Sequence, residues 1–216
     1  MNLDCYDTLV FDCDGVIFDS NKVRAQAFYN AALPYGEEHA RALGAYHILH
    51  GGVSRYVKFE AFLRDMVGVP VTEQEMQDLL LQFTTEVRIG LMQCELASGL
   101  EALRKSTAQA NWMVVSGADQ EELRVIFAQR RIDQWFNAGI YGSPSNKDAI
   151  LERELGSGNL GKRAIFFGDS LYDHQAAIRA GLDFVFVSKW TDFEGWQQYC
   201  TAHNVTVIEG LDELFQ

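Results

Sequence analysis

The chain has 216 residues, 48% hydrophobic and 12% aromatic, enough to bury a sizeable core and to exclude global disorder. A formal net charge of −12 argues against nucleic acid or an anionic membrane surface as a partner. It leaves a small phosphorylated molecule open, because a local cation and a few basic side chains can invert the field inside a cleft.

Met1-Asn2-Leu3-Asp4-Cys5-Tyr6-Asp7 lacks the basic and apolar regions of a signal peptide, and no apolar run is long enough to span a bilayer. Cys5, Cys13, Cys94 and Cys200 are scattered without C-x-x-C spacing, which predicts free thiols in a reducing compartment. A cytoplasmic location is expected, and no obligate protein partner is evident.

Leu9-Val10-Phe11 reads as a short buried strand, and Asp12-Cys13-Asp14-Gly15 as the loop leaving it. Two carboxylates beside a buried strand repel each other and lose hydration. They are tolerable if a cation sits between them or one stays protonated. Both conditions suit phosphoryl transfer, with a carboxylate nucleophile, a proton donor and magnesium. Asp-Gly is also a common turn pair, so this motif alone leaves a plain acidic turn open. Cys13 is expected to be a small buried hydrophobe on the strand's other side.

Helices follow at 21–33, 37–49, 55–67 and 73–92, with breaks at Pro34-Tyr35-Gly36 and Gly51-Gly52. Thr72 and Glu75 form a capping-box signature, and Met76, Leu79, Leu80, Phe83 and Val87 make a helical stripe. An insert this long with its own apolar faces predicts a small second domain.

After residue 94 one grammar repeats: an apolar run ending in a small or polar residue. Trp112-Met113-Val114-Val115 runs into Ser116-Gly117, and Ala138-Gly139-Ile140-Tyr141 into Gly142-Ser143. Ala164-Ile165-Phe166-Phe167 runs into Gly168-Asp169-Ser170, Phe184–Val187 into Ser188, and Val205–Ile208 into Glu209-Gly210. Continuous runs predict strands covered on both faces. Helices are expected between them: 119–129, then 146–154 capped by Ser145 with Asp148 three positions on, then 171–180 ending at Gly181. Strands alternating with helices give an α/β fold with a doubly wound parallel sheet, whose ligands bind at the strands' carboxyl ends. Asp12, Ser116 and Asp169 all fall there.

Four stations stand in order: Asp12-x-Asp14-Gly15, Ser116-Gly117, Lys147, and Gly168-Asp169-Ser170-x-x-Asp173. This order resembles the haloacid dehalogenase superfamily, in particular its phosphatases and phosphomutases with a helical cap. The resemblance implies a Rossmann-like core at 1–18 and 95–216 and a cap at 19–94. It implies that Asp12 attacks phosphorus and that Asp14 protonates the leaving oxygen and then activates water. Magnesium would be held by Asp12, the backbone carbonyl of Asp14, and Asp169. Ser116 and backbone N–H groups near Gly117 would bind phosphate oxygens, Lys147 would neutralise charge on the transferring group, and Asp173 would position Lys147.

Dehalogenases lack the second aspartate, and phosphonate hydrolases have Ala there; Asp14 disfavours both. Gly51-Gly52-Val53-Ser54-Arg55 resembles the substrate loop of β-phosphoglucomutase caps, where an Arg grips a second phosphate. Arg24 falls where that mutase has a His linking cap closure to the acid/base residue, and Gly168-Asp169 replaces the mutase's Glu-Asp. Hydrolysis of a small soluble phosphate monoester, such as a sugar phosphate, is therefore the expected function. A phosphosugar mutase is the alternative. Arg24 and Arg55 are candidate cap contacts to substrate, with two solvated helix residues as the competing reading. His47 and His50 are expected to be cap surface or packing. A phospho-acceptor receiver domain fits poorly: its acids are adjacent, its acceptor lies on a later strand, and it has no large insert. An inactive binding module would lack an essential residue, and none is missing.

Overall fold

The computed structural model describes residues 1–215. Each apolar run forms a strand: β1 (Thr8–Phe11), β2 (Asn111–Asp119), β3 (Ile140–Ser143), β4 (Ala164–Gly168), β5 (Asp183–Val187) and β6 (Thr206–Ile208). They form one sheet in the order β3-β2-β1-β4-β5-β6, with every pairing parallel. Strand order turns back between β1 and β4, the place where such sheets open a crevice for ligands.

The runs are continuous because both faces are covered. Leu9, Phe11, Trp112, Val114, Ile165 and Phe167 pack into one core, and Val10, Met113, Val115 and Phe166 into the other. Phe11 stacks on Phe167 at 5.2 Å and tilts against Trp112 at 4.7 Å, so the central strand is locked to both neighbours.

Between β1 and β2 lie α1 (Asn21–Ala32), α2 (Glu37–Leu49), α3 (Arg55–Ala61) and α4 (Glu73–Gln93). Their core centres on Phe28, with Phe83 at 4.3 Å and Phe59 at 5.2 Å. Thr72 caps α4 by accepting from the Glu75 N–H at 3.2 Å, while the Glu75 carboxylate turns to the Tyr35 hydroxyl instead of closing a box. The helix expected over 55–67 is α-helical only to Ala61 and widens to a π-type coil over Phe62–Val67.

The remaining helices are α5 (Leu100–Ser106), α6 (Gln120–Gln129), α7 (Lys147–Ser157), α8 (Leu171–Ala180) and α9 (Trp196–Ala202). α5 and α9, seven residues each, have too few turns to show periodicity. The cap of α7 is Asn146, whose side chain accepts from the Ala149 N–H at 2.8 Å. Ser145 lies one residue too early for that role, and Asp148 is drawn to Arg179 and Tyr172. The strand expected to end at Val115 continues to Asp119, because a register shift lets Asp119 pair with Ser143 of β3.

Candidate active site

The carboxyl ends of β1, β2 and β4 bring the predicted stations together. The Asp12 N–H donates to the Phe167 carbonyl at 2.9 Å, which extends the β1–β4 pairing by one residue and fixes Asp12 beside Asp169. Lys147, the first residue of α7, is fully buried, with its Nζ 3.0 Å from Asp12 Oδ1. The same ammonium donates to Asp173 Oδ1. Asp173 Oδ2 accepts from the Ser170 N–H at 3.1 Å and the Ser170 hydroxyl at 2.5 Å, closing a capping box at the start of α8. Asp173 is thus engaged through both oxygens and fixes Lys147.

One carboxylate oxygen each from Asp12, Asp169 and Asp173 lies within 4.8 Å of the others. Burial raises the pKa of both Asp12 and Asp169, with the charges of Asp173 and Asp14 adding to it at Asp12 and those of Asp12 and Asp173 at Asp169. Burial opposes the Lys147 ammonium, but Asp12 and Asp173 outweigh it and hold Lys147 protonated. Asp169 Oδ2 accepts from Asn21 Nδ2 at 2.9 Å, and its carbonyl accepts from the Thr191 hydroxyl at 2.6 Å. Neither Asn21 nor Thr191 belongs to the four stations; both meet Asp169 only through the fold.

Two glycines are required by close approach. Gly15 sits at φ +77°, and a Cβ there would lie 2.1 Å from Asp169 Oδ2. The Asp-Gly pair after β1 is therefore more than a turn: it makes room for the acid arriving from β4. Gly117 would place a Cβ 2.0 Å from the Gly52 carbonyl oxygen, so the loop between α2 and α3 rests directly on the end of β2. Next to it, Ser116 is buried, lines the cavity, and accepts from the Ala118 N–H at 3.1 Å.

Asp14 stands outside the carboxylate cluster. Its Oδ1 accepts from the Ser20 hydroxyl at 2.5 Å and lies 2.5 Å from Arg24 Nε. Arg24 Nη1 is 3.3 Å from Glu122 Oε1, and that oxygen also takes Arg55 Nη2 at 2.5 Å. An ionic chain Asp14–Arg24–Glu122–Arg55 thus runs from the β1 loop through α1 and α6 to α3. Burial opposes the Arg24 charge, and Asp14 and Glu122 more than compensate. Arg55 also donates to Thr84 Oγ1 at 2.9 Å and lies over the Phe83 ring at 4.7 Å. Both arginines line the cavity and both are buried, so neither is a solvated helix residue. Glu122 was hidden in the sequence because it follows Asp119 by three and reads as part of a helix start. Asp119 does accept from the Glu122 N–H at 3.0 Å, but the carboxylate has this second partner set.

A cavity of about 610 Å³ joins these groups, with Asp12, Asp14, Ser116 and Asp169 on the sheet side and Phe28, His47, Lys58 and Phe83 on the helical side. Lys58 is buried, and its Nζ lies 2.8 Å from His47 Nδ1. His47 is a packing residue, in tilted contact with Phe28 at 4.5 Å, and His50 stacks on Tyr46 at 3.9 Å. Lys58 lies three residues after Arg55 on the inward face of α3, a periodicity that was available in the sequence.

The family model described as haloacid dehalogenase-like hydrolase matches residues 6–181. No protein of curated function matches the chain in sequence. A predicted phosphatase from Clostridium acetobutylicum superposes with TM-score 0.75 at 17% identity, covering 98% of this chain and 97% of its own. A HAD hydrolase, family IA, variant 3, from Entamoeba histolytica gives 0.71 at 15% identity, covering 96% and 94%. A predicted phosphoglycolate phosphatase from Haemophilus somnus 129pt gives 0.67 at 20% identity, covering 86% and 87%. At these identities the likeness speaks for the fold. With the family match extending from before β1 to the end of α8, the chain belongs to the haloacid dehalogenase-like hydrolases.

Proposed function

We propose that the protein is a magnesium-dependent phosphatase acting on small soluble phosphate monoesters through an aspartyl-phosphate on Asp12. The observation that carries this reading is the buried cluster of Asp12, Asp169 and Asp173 around Lys147, opening into the same cavity as Ser116. In this reading residues 19–94 are a cap over a core of 1–18 and 95–216.

The donor set suits the ion. Asp173 is occupied on both oxygens, while Asp12 is held through Oδ1 and Asp169 through Oδ2. One oxygen on each of these two acids would therefore be left to hold a hard divalent cation, and the resemblance would make the Asp14 backbone carbonyl a third ligand. Neutralising the acids and the phosphoryl oxygens is the chemistry magnesium supplies when bound.

In this reading a carboxylate oxygen of Asp12 attacks phosphorus, and the ester oxygen departs with a proton carried on Asp14 Oδ2, Arg24 and Ser20 being on Oδ1. Asp14 then takes a proton from water, the resulting hydroxide attacks phosphorus, and inorganic phosphate leaves with the Asp12 carboxylate restored. Ser116 and the N–H groups beside Gly117 hold phosphoryl oxygens, and Lys147 offsets their charge.

Gly168 supports hydrolysis over the mutase alternative. A Cβ at 168 would lie 2.4 Å from the Asp173 Cβ, leaving no room for the glutamate of the mutase pattern. The net charge supports a small-molecule substrate rather than nucleic acid or a membrane surface. Among the described residues no helix is long and apolar enough to cross a membrane. The cytoplasmic setting in this reading rests on the four scattered cysteines, which suit a reducing compartment.

Phosphate release from an aryl phosphate is the test. Activity should need magnesium and vanish on chelation, and Asp12→Asn should form no phospho-enzyme. Undiminished turnover after exhaustive chelation, or phosphate trapped on Asp14, would overturn the reading.

A further inference from the structure

Lys58 is a cation left over. Arg24 and Arg55 are matched by Asp14 and Glu122, but among the described residues Lys58 meets no carboxylate. Its ammonium is in contact only with neutral groups, His47 Nδ1 at 2.8 Å, the His47 carbonyl at 3.5 Å and the Phe28 ring at 5.3 Å, while Arg24 and Lys147 repel it and Asp14 attracts it without touching it. A buried ammonium without a counter-ion is unfavourable, so proteins pair such charges or leave the pairing to a ligand. Burial and the Arg24 charge push its pKa down to about 7, the expected response of a cation whose partner is missing.

The surroundings point the same way. Lys58 lines the cavity that contains Asp12, and so does Arg24, whose buried Nη2 donates to nothing. Around them Phe28, Phe83 and Ile48 give an apolar wall against which a carbon skeleton can lie. His47, itself held neutral by burial and by Lys58, orients the ammonium without cancelling it.

We propose that Lys58, with Arg24 beside it, forms a second anion site at the helical end of the cavity. The substrates are accordingly phosphate monoesters carrying another anionic group, a carboxylate or a second phosphate, away from the ester. This rests on the phosphatase reading for its term "substrate", but the site itself is a binding property and can be tested apart from turnover. Phosphate release thereby becomes selective: an ester without the distal anion leaves Lys58 unpaired, and one with it supplies the missing charge.

The test compares three non-hydrolysable ligands by calorimetry in the presence of magnesium: propylphosphonate, 3-phosphonopropionate and propane-1,3-bisphosphonate. The wild type should bind one or both of the compounds with a second anionic group ten- to a hundredfold more tightly than propylphosphonate, the range for a charge-assisted contact. Which one gains more identifies carboxylate or phosphate as the distal group. In Lys58→Met the ratio should fall to near one, and Lys58→Arg should restore part of it. Propylphosphonate affinity serves as the internal measure of a folded site in each variant. No preference in the wild type, or a preference that survives Lys58→Met, overturns the site. A wild type that shows the preference yet releases no phosphate from the matching esters, 3-phosphooxypropanoate and propane-1,3-diyl bisphosphate, keeps the site and overturns the phosphatase reading instead.

Discussion

Gly117→Ala probes how closely the helical insert must sit on the sheet. The new Cβ would stand 2.0 Å from the Gly52 carbonyl oxygen, 2.7 Å from its carbon and 3.3 Å from the Val53 carbonyl carbon. All three are backbone atoms, so no side chain can rotate away, and the loop must retreat by more than about 1 Å to reach ordinary contact. Gly117 has no positive φ, so alanine adds no backbone strain to β2. The clash therefore falls on the docking of the insert, at about 1–3 kcal/mol for overpacking of this kind. If turnover needs the docked form, kcat/KM for an aryl phosphate should fall about fivefold to a hundredfold. Gly156→Ala is the control: it lies in α7 with nothing within 4 Å of its Cβ, and should be neutral or slightly stabilising. Steady-state phosphate release and urea unfolding of both variants make the measurement. A Gly117→Ala enzyme within twofold of wild type would show that the contact is dispensable.

Lys147→Met leaves Asp12 and Asp173 buried without their ammonium, and urea denaturation at pH 7 should show a loss of about 3–5 kcal/mol; a loss under about 1 kcal/mol would contradict the pairing. Glu122→Gln removes the charge shared by Arg24 and Arg55 and should destabilise by about 2–4 kcal/mol, read in the same assay. For Lys58 the sign is opposite. Its folded pKa of about 7 lies below the unfolded value, so the native state binds fewer protons between about pH 7 and 10.5 and gains stability as pH rises through that window. Lys58→Met should therefore stabilise the ligand-free protein by up to about 5 kcal/mol at pH 6, with the advantage shrinking toward pH 10. An advantage that does not change with pH would show that Lys58 is not a buried lone cation.

The strands and three of the four stations were legible because each is a local pattern, an apolar run covered on both faces and closed by a small or acidic residue; Lys147, at the start of α7, stood out only by its place in their order. What escaped was decided between elements. Asn21 and Thr191 hold Asp169 from α1 and from the segment after β5, and neither position carries a local mark. Glu122 presents a helix-start pattern while its carboxylate couples two arginines of the insert. Arg55, a candidate substrate contact, lines the cavity, and nothing in the sequence signalled that its guanidinium also meets Glu122, Thr84 and Phe83. The Ser145 cap failed for a narrower reason: Asn146 competes one residue later with an equally good acceptor.

Asp12, Ser116 and Asp169 arrive on three neighbouring strands, β1, β2 and β4, that lie far apart along the chain. The parallel register of those strands, Phe11 opposite Val114 and Phe167, brings the three residues to within one position of the same level. No early hairpin or isolated helix pair can contain the site, and non-local parallel pairing is slow to form. A nascent or partly refolded chain is accordingly silent until the centre of its sheet has zipped together. Recovery of activity during refolding would then time a single event, the joining of β1 to both of its neighbours.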